Sequence, residues 1–177
     1  MTYFIVDAET NGLYGSFLSV AAQVYDAEWN LIEEFYGARK IKTEEEINPW
    51  VEANVLPFLY TDAKVYDEES ELLETFWQFW IKYRQVENLR CVADVPYPVE
   101  SRLFLRCVEQ NREERMFLGP FPLYDMETIL ASAGEELLAD RIKLLEETTG
   151  CKESELVRHC ALDDVRITAL LLKKYWG

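Results

Sequence analysis

Tyr3-Phe4-Ile5-Val6 is an uninterrupted apolar run that stops on Asp7. A run with no polar residue at alternate positions is expected for a strand covered on both faces, which requires a sheet with a layer on either side. Phe17 to Tyr25 and Leu31 to Tyr36 are two more strand candidates, joined by Asp26-Ala27-Glu28-Trp29-Asn30, a connection of hairpin length. The chain therefore begins with three strands in series. Asn48-Pro49 then opens a short helix toward Phe58, because proline is tolerated in a first turn, where its missing N–H costs nothing.

Leu72, Leu73, Phe76, Phe79, Trp80 and Tyr83 recur at spacings of three and four, which predicts a helix over Glu68 to Arg84. Its aromatic stripe, Trp77 and Trp80 included, is expected to be core. Leu89 to Ala93 is a short apolar segment ending at Asp94, and Val99 to Glu109 is a further helix. Phe121 to Asp125 is extended and leads into a helix near Met126 to Ala133. The last helix, roughly Cys160 to Tyr175, carries Leu162, Val165, Ala169, Leu172 and Trp176 as its buried face. Strands followed by helix, strand and helices predict a layered α/β domain with a mixed sheet. No repeat or linker divides the 177 residues, so a single domain, 1–177, is expected, with 49% apolar residues to fill its core.

The net charge of −15 argues against a protein that tracks a long nucleic acid by its backbone, since such affinity comes mostly from neutralised phosphates. One locally basic stretch, Ile81-Lys82-Tyr83-Arg84-Gln85, holds two charges on an otherwise apolar helix. A nucleic-acid substrate would then be short or bound by its end, with metal ions offsetting the repulsion. Cys91, Cys107, Cys151 and Cys160 lack the paired short spacings of a zinc knuckle, and the chain does not start with a basic segment followed by an apolar run. A reduced, cytoplasmic protein is expected, with no apolar run long enough for a membrane span.

Asp7 and Glu9 lie two apart at the end of the first strand, and a period of two puts both carboxylates on one side. Two acids so close repel each other and favour a hard cation between them. In the following Thr10-Asn11-Gly12, Gly12 permits a turn or a close backbone approach, where a substrate phosphate or terminal nucleotide could sit. On the last helix, Asp164 stands three residues from Ala161 and four from Thr168, beside small side chains that leave room for an ion. Asp163 competes for that role, and the spacing favours Asp164. His159, the only histidine, is not on the Asp164 face of a regular helix and is expected on the loop before it. Its ordinary pKa, about 6.5, suits proton removal from water. Asp94 repeats the strand-end setting of Asp7, followed by a stiff turn containing Pro96 and Pro98. Glu100 is either a first-turn residue favoured by the helix dipole or a substitute ligand, and the first is preferred. The acids at 44–46 and 62–71 are read as solvated.

Asp7-Ala8-Glu9-Thr10-Asn11-Gly12, Asp94 and His159-Cys160-Ala161-Leu162-Asp163-Asp164 together resemble the three motifs of the DEDDh 3′-5′ exonucleases, within the ribonuclease H-like superfamily. The resemblance spans nearly the whole length. It implies a ribonuclease H-like fold, a mixed central β-sheet flanked by α-helices. It further implies that Asp7, Glu9, Asp94 and Asp164 hold two Mg²⁺ or Mn²⁺ ions and that His159 is the general base. Asp7 would bridge the ions, Glu9 and Asp164 would fix the hydrolytic side, and Asp94 the other. The partner implied is a single-stranded DNA or RNA 3′ end, or a short oligonucleotide, cut to nucleoside 5′-monophosphates. The middle motif departs from the family: His-Asn upstream and Phe before the Asp are usual, whereas this chain has Leu89-Arg90-Cys91-Val92-Ala93-Asp94. Two other readings stay open. One is a noncatalytic nucleic-acid or protein-binding module on the same fold, and the other a hydrolase of a small phosphodiester such as a dinucleotide. Exposed aromatics leave a homodimer open, and no feature selects DNA or RNA.

Overall fold

The computed structural model describes residues 1–150 and 156–176. β1 (Thr2–Thr10), β2 (Phe17–Tyr25) and β3 (Leu31–Arg39) form an antiparallel meander. β4 (Lys64–Tyr66) joins β3 in parallel, β5 (Leu89–Ala93) joins β1 in parallel, and β6 (Leu123–Asp125) joins β5 in parallel. The sheet order is β4-β3-β2-β1-β5-β6. The helices are α1 (Pro49–Asn54), α2 (Glu69–Tyr83), α3 (Val99–Gln110), α4 (Arg112–Arg115), α5 (Met126–Ser132), α6 (Arg141–Thr149) and α7 (Ala161–Tyr175).

The alternation along β1 assigns the two layers. Phe4, Val6 and Ala8 pack with Leu72, Phe76 and Trp80 of α2 and Leu103 and Cys107 of α3. Tyr3 and Ile5 pack on the opposite side with Met126 and Leu130 of α5, Ile142 of α6, and Val165, Ala169 and Leu172 of α7. β1 is thus covered on both faces, as its apolar run requires, and the sheet is mixed and flanked by helices as expected. Trp77 and Trp80 are core, the latter donating its indole N–H to the Leu118 carbonyl at 2.8 Å.

Several boundaries differ from the sequence reading. β1 does not end at Asp7 but continues to Thr10, because backbone pairing with β2 persists through Ala8↔Val20 and Glu9↔Ser19 while the charged side chains leave the layer. The three-residue β4 and the four-residue α4 escape periodicity altogether. α6 was also missed, although it carries both a start and a stop signal. Asp140 caps it by accepting from Ile142 N and Lys143 N, and Gly150 ends it at φ 76°. Glu45, expected in a solvated loop, instead pairs with the nearly buried Arg39. Cys91, Cys107 and Cys160 are buried free thiols, and Cys151 lies outside the described residues. No helix among the described residues is long and apolar enough to cross a membrane.

Candidate active site

Because β1 and β5 are parallel neighbours, paired through Ile5↔Val92, both strands run toward the same edge of the sheet, where Asp7 and Asp94 lie. Asp7 and Glu9 are half-buried and alternate with the buried Ala8 and Thr10, so their carboxylates leave β1 on one face. The first turn of α7 meets that face and brings Asp164, whose side chain accepts from the His159 backbone N–H. His159 sits on the loop ahead of α7, as expected, with Cys160 as the helix cap. It holds φ 60°, a conformation disfavoured for any residue with a Cβ, and its ring meets the Trp50 ring edge-on at 4.9 Å. Potential ligand atoms of Glu9, His159 and Asp164 all lie within 4.8 Å of one another.

These groups line a cleft of about 320 Å³ together with Asp7, Asp94 and Glu100. A hollow of similar size, about 330 Å³, beside Trp80, Phe117 and Phe121 has no acid or histidine in its wall, which includes Arg84 and Cys91. In the acidic cleft, burial and then the neighbouring Asp164, Glu100, Glu9 and Asp94 raise the Asp7 pKa well above the usual carboxylate range. Burial pushes Glu9 up to about 7. Asp164 is raised by burial and by Glu9, against the opposing His159 N–H bond. Glu100 is pushed up to about 8, chiefly by burial. His159 is shifted the other way, by burial and by Arg158, so the neutral imidazole is favoured.

The donor set suits a hard divalent cation. Among the described residues, none donates a hydrogen bond to the side chain of Asp7 or Glu9, and no Lys or Arg pairs with Asp7, Glu9, Glu100 or Asp164. Oxygen ligands with one nearby imidazole match Mg²⁺ or Mn²⁺ better than a soft metal.

The remaining expected residues divide. Asp163 turns from the cleft, taking the Val157 N–H at 3.0 Å and pairing with Arg166 at 2.8 Å, so Asp164 is the inward acid. Asp94 reaches the cleft wall but is held by Arg141. Thr10 is buried, and Asn11 ties the turn to a distant loop through the Glu46 carbonyl at 2.9 Å and the Asn48 N–H at 2.8 Å. Neither lines the cleft. Gly12 adopts φ 76°, the turn its freedom was expected to serve, and the next residue, Leu13, is the one that reaches the wall.

Glu100 departs from the preferred reading. It is in the first turn of α3, yet only 3% exposed, with Oε1 accepting the Ala8 N–H at 3.2 Å. A signal was available: Glu100, Leu103, Phe104 and Cys107 fall at i, i+3, i+4 and i+7, so an acid heads the buried stripe. Arg141 and Trp50 were also missed, and no local pattern points to either.

By sequence, no family model matches the chain and no curated protein does. By structure, it is similar to a zinc-bound form of an E. coli exonuclease I complex with single-stranded DNA, at 17% identity and TM-score 0.73, covering 98% of this chain and 40% of that one. A second similar structure is E. coli exonuclease I in complex with an oligonucleotide, at 15% identity and TM-score 0.68, covering 98% and 41%. A third is exonuclease I from Methylocaldum szegediense, at 17% identity and TM-score 0.65, covering 98% and 40%. The chain spans about two fifths of the length of these proteins. At such identities the likeness establishes the architecture: a ribonuclease H-like fold of the kind seen in exonuclease I, over nearly the whole of this chain.

Proposed function

We propose that this chain is a metal-dependent 3′-5′ exonuclease that releases nucleoside 5′-monophosphates from single-stranded DNA or RNA ends or from short oligonucleotides. The observation that carries the reading is the convergence of Asp7, Glu9, Asp164 and His159 in one cleft, where among the described residues no Lys or Arg pairs with these three acids. The exonuclease I fold adds support. Asp7, Glu9 and Asp164 would hold two Mg²⁺ or Mn²⁺ ions, with Asp94 at the family's fourth position. The ions supply Lewis acidity for the scissile phosphate and charge neutralisation at the leaving 3′ oxygen. His159 takes the proton of the attacking water on its ring, a role suited to an imidazole kept neutral by burial. Trp50, packed edge-on against that ring, holds its orientation.

Leu13 and Tyr97 line the cleft and are 62% and 72% exposed, offering apolar faces on which unpaired bases can stack. The Thr10-Asn11-Gly12 turn that precedes Leu13 is tied through Asn11 to Glu46 and Asn48. With a net charge of −15, binding by bases and ions rather than by phosphate contacts favours short substrates, and a dinucleotide is the smallest that fits this reading. The deciding experiment is digestion of 5′-labelled single-stranded DNA and RNA of several lengths with Mg²⁺, Mn²⁺ or EDTA, beside Asp164→Ala. A metal-dependent ladder shortening from the 3′ end, absent in the variant, is expected. No cleavage by folded, metal-supplied protein would reject the exonuclease.

A further inference from the structure

Two carboxylates compete for the fourth place beside Asp7, Glu9 and Asp164. Asp94 stands at the end of β5, but both of its oxygens accept from one guanidinium, Arg141 Nε at 2.7 Å and Nη2 at 2.9 Å. Arg141 is itself fixed by Glu127 and by the Ala139 carbonyl at 2.8 Å. A bidentate pair of this geometry occupies the coordinating edge of the carboxylate, and an ion binding there would have to displace a fixed positive charge. Glu100 is the reverse case. It lies against the β1 backbone through the Ala8 N–H, between Asp7 and Glu9, and no cationic side chain among the described residues pairs with it.

The local structure explains how it gets there. Leu103, Phe104 and Cys107 anchor α3 in the core, and Glu100 continues that stripe one turn toward the cleft. The turn from Asp94 to α3 passes through Val95 at φ 50°, costly for a β-branched residue, and is held by Ser101 N donating to the Pro96 carbonyl at 2.8 Å. A nearly buried acid without a cationic partner is costly unless an ion or a proton neutralises it.

We propose that Glu100, rather than Asp94, is the fourth carboxylate ligand of the divalent-ion site, and that Asp94 instead positions Arg141 at the edge of the cleft. The inference rests on the metal-dependent reading above and assigns its ligands. Calorimetric titration of Mn²⁺ into the metal-stripped chain tests it, comparing wild type, Glu100→Gln and Asp94→Asn without reference to activity. Gln preserves an acceptor for the Ala8 N–H. Glu100→Gln should weaken Mn²⁺ binding by at least about tenfold or remove one bound equivalent, while its melting temperature in EDTA does not fall. Asp94→Asn should bind Mn²⁺ within about threefold of wild type, since its charge is already neutralised. Wild-type affinity in Glu100→Gln, or a larger loss in Asp94→Asn, overturns the assignment and leaves the metal-dependent reading intact. Failure of the wild type to take up Mn²⁺ overturns both. Glu100→Asp, which keeps the charge and retracts it by one methylene, is the second variant. Weakened Mn²⁺ binding with an unchanged melt is expected there, and wild-type affinity counts against the ligand role.

Discussion

The ends of β1 and β5 are adjacent, parallel and both acidic, yet they are neutralised in different ways. At β1, no Lys or Arg among the described residues pairs with Asp7 or Glu9, and their carboxyls are pushed up by burial first. At β5, Asp94 is clasped by Arg141, which Glu127 holds from the other side. The same strand-end placement therefore yields acids with no Lys or Arg partner among the described residues in one case and an ion pair in the other. The chemistry of a carboxylate is set by what faces it, and here those partners arrive from α6 and α7, far along the chain.

The contrast breaks most sharply at the β1 side. Asp164→Ala, which removes the acid facing Asp7 and Glu9, should abolish metal-dependent cleavage while the circular dichroism spectrum and melt stay near wild type. Persistent turnover would remove Asp164 from the site. Next in size is His159→Ala, expected to lower kcat by roughly 10²–10⁴-fold. Because the His159 pKa lies below its ordinary value, wild-type kcat should hold from neutral pH down to that lowered pKa and fall beneath it, a limb absent from the variant's profile.

On the β5 side the expected loss is of stability. Arg141→Gln leaves Asp94 and Glu127 without their cation, and should cost about 2 kcal/mol, or roughly 4–8 °C in Tm. A melt unchanged by this substitution would show that the clasp contributes nothing.

A pH series separates the two ends without mutation. Glu9 and Glu100 have folded pKa values of about 7 and about 8, against an ordinary 4.5, and Asp7 and Asp164 are raised in the same direction. A raised carboxyl stabilises the fold while protonated, so this contribution is complete below the unfolded pKa and is lost as pH rises through the folded one. Metal-free protein should therefore melt lower at about pH 8.5 than at about pH 5.5, and Mg²⁺ should restore more at the higher pH. Equal Mg²⁺ responses at both would contradict an ion held by these acids. The smallest effect expected is Tyr97→Ala, which should raise KM roughly tenfold at constant kcat if a base stacks there.

Much of this was legible in order along the chain. The apolar run of β1, the two-residue alternation of Asp7 and Glu9, the placement of His159 before α7, and the inward choice of Asp164 over Asp163 all follow from local periodicity, which fixes the face a side chain leaves. The stripe that buries Glu100 was equally periodic, but a first-turn acid has a good solvated explanation, and only packing of α3 on β1 excludes it.

The covered central strand, the layered α/β class and which acids share a face are readable along the chain, because they depend on backbone geometry repeating over a few residues. Tertiary structure alone decided that Arg141 meets Asp94 across 47 positions, that Glu100 reaches Ala8 across 92, and that Trp50 meets His159. Such meetings depend on how layers stack and how turns redirect the chain, and a carboxylate's identity as ligand or ion-pair partner depends on them.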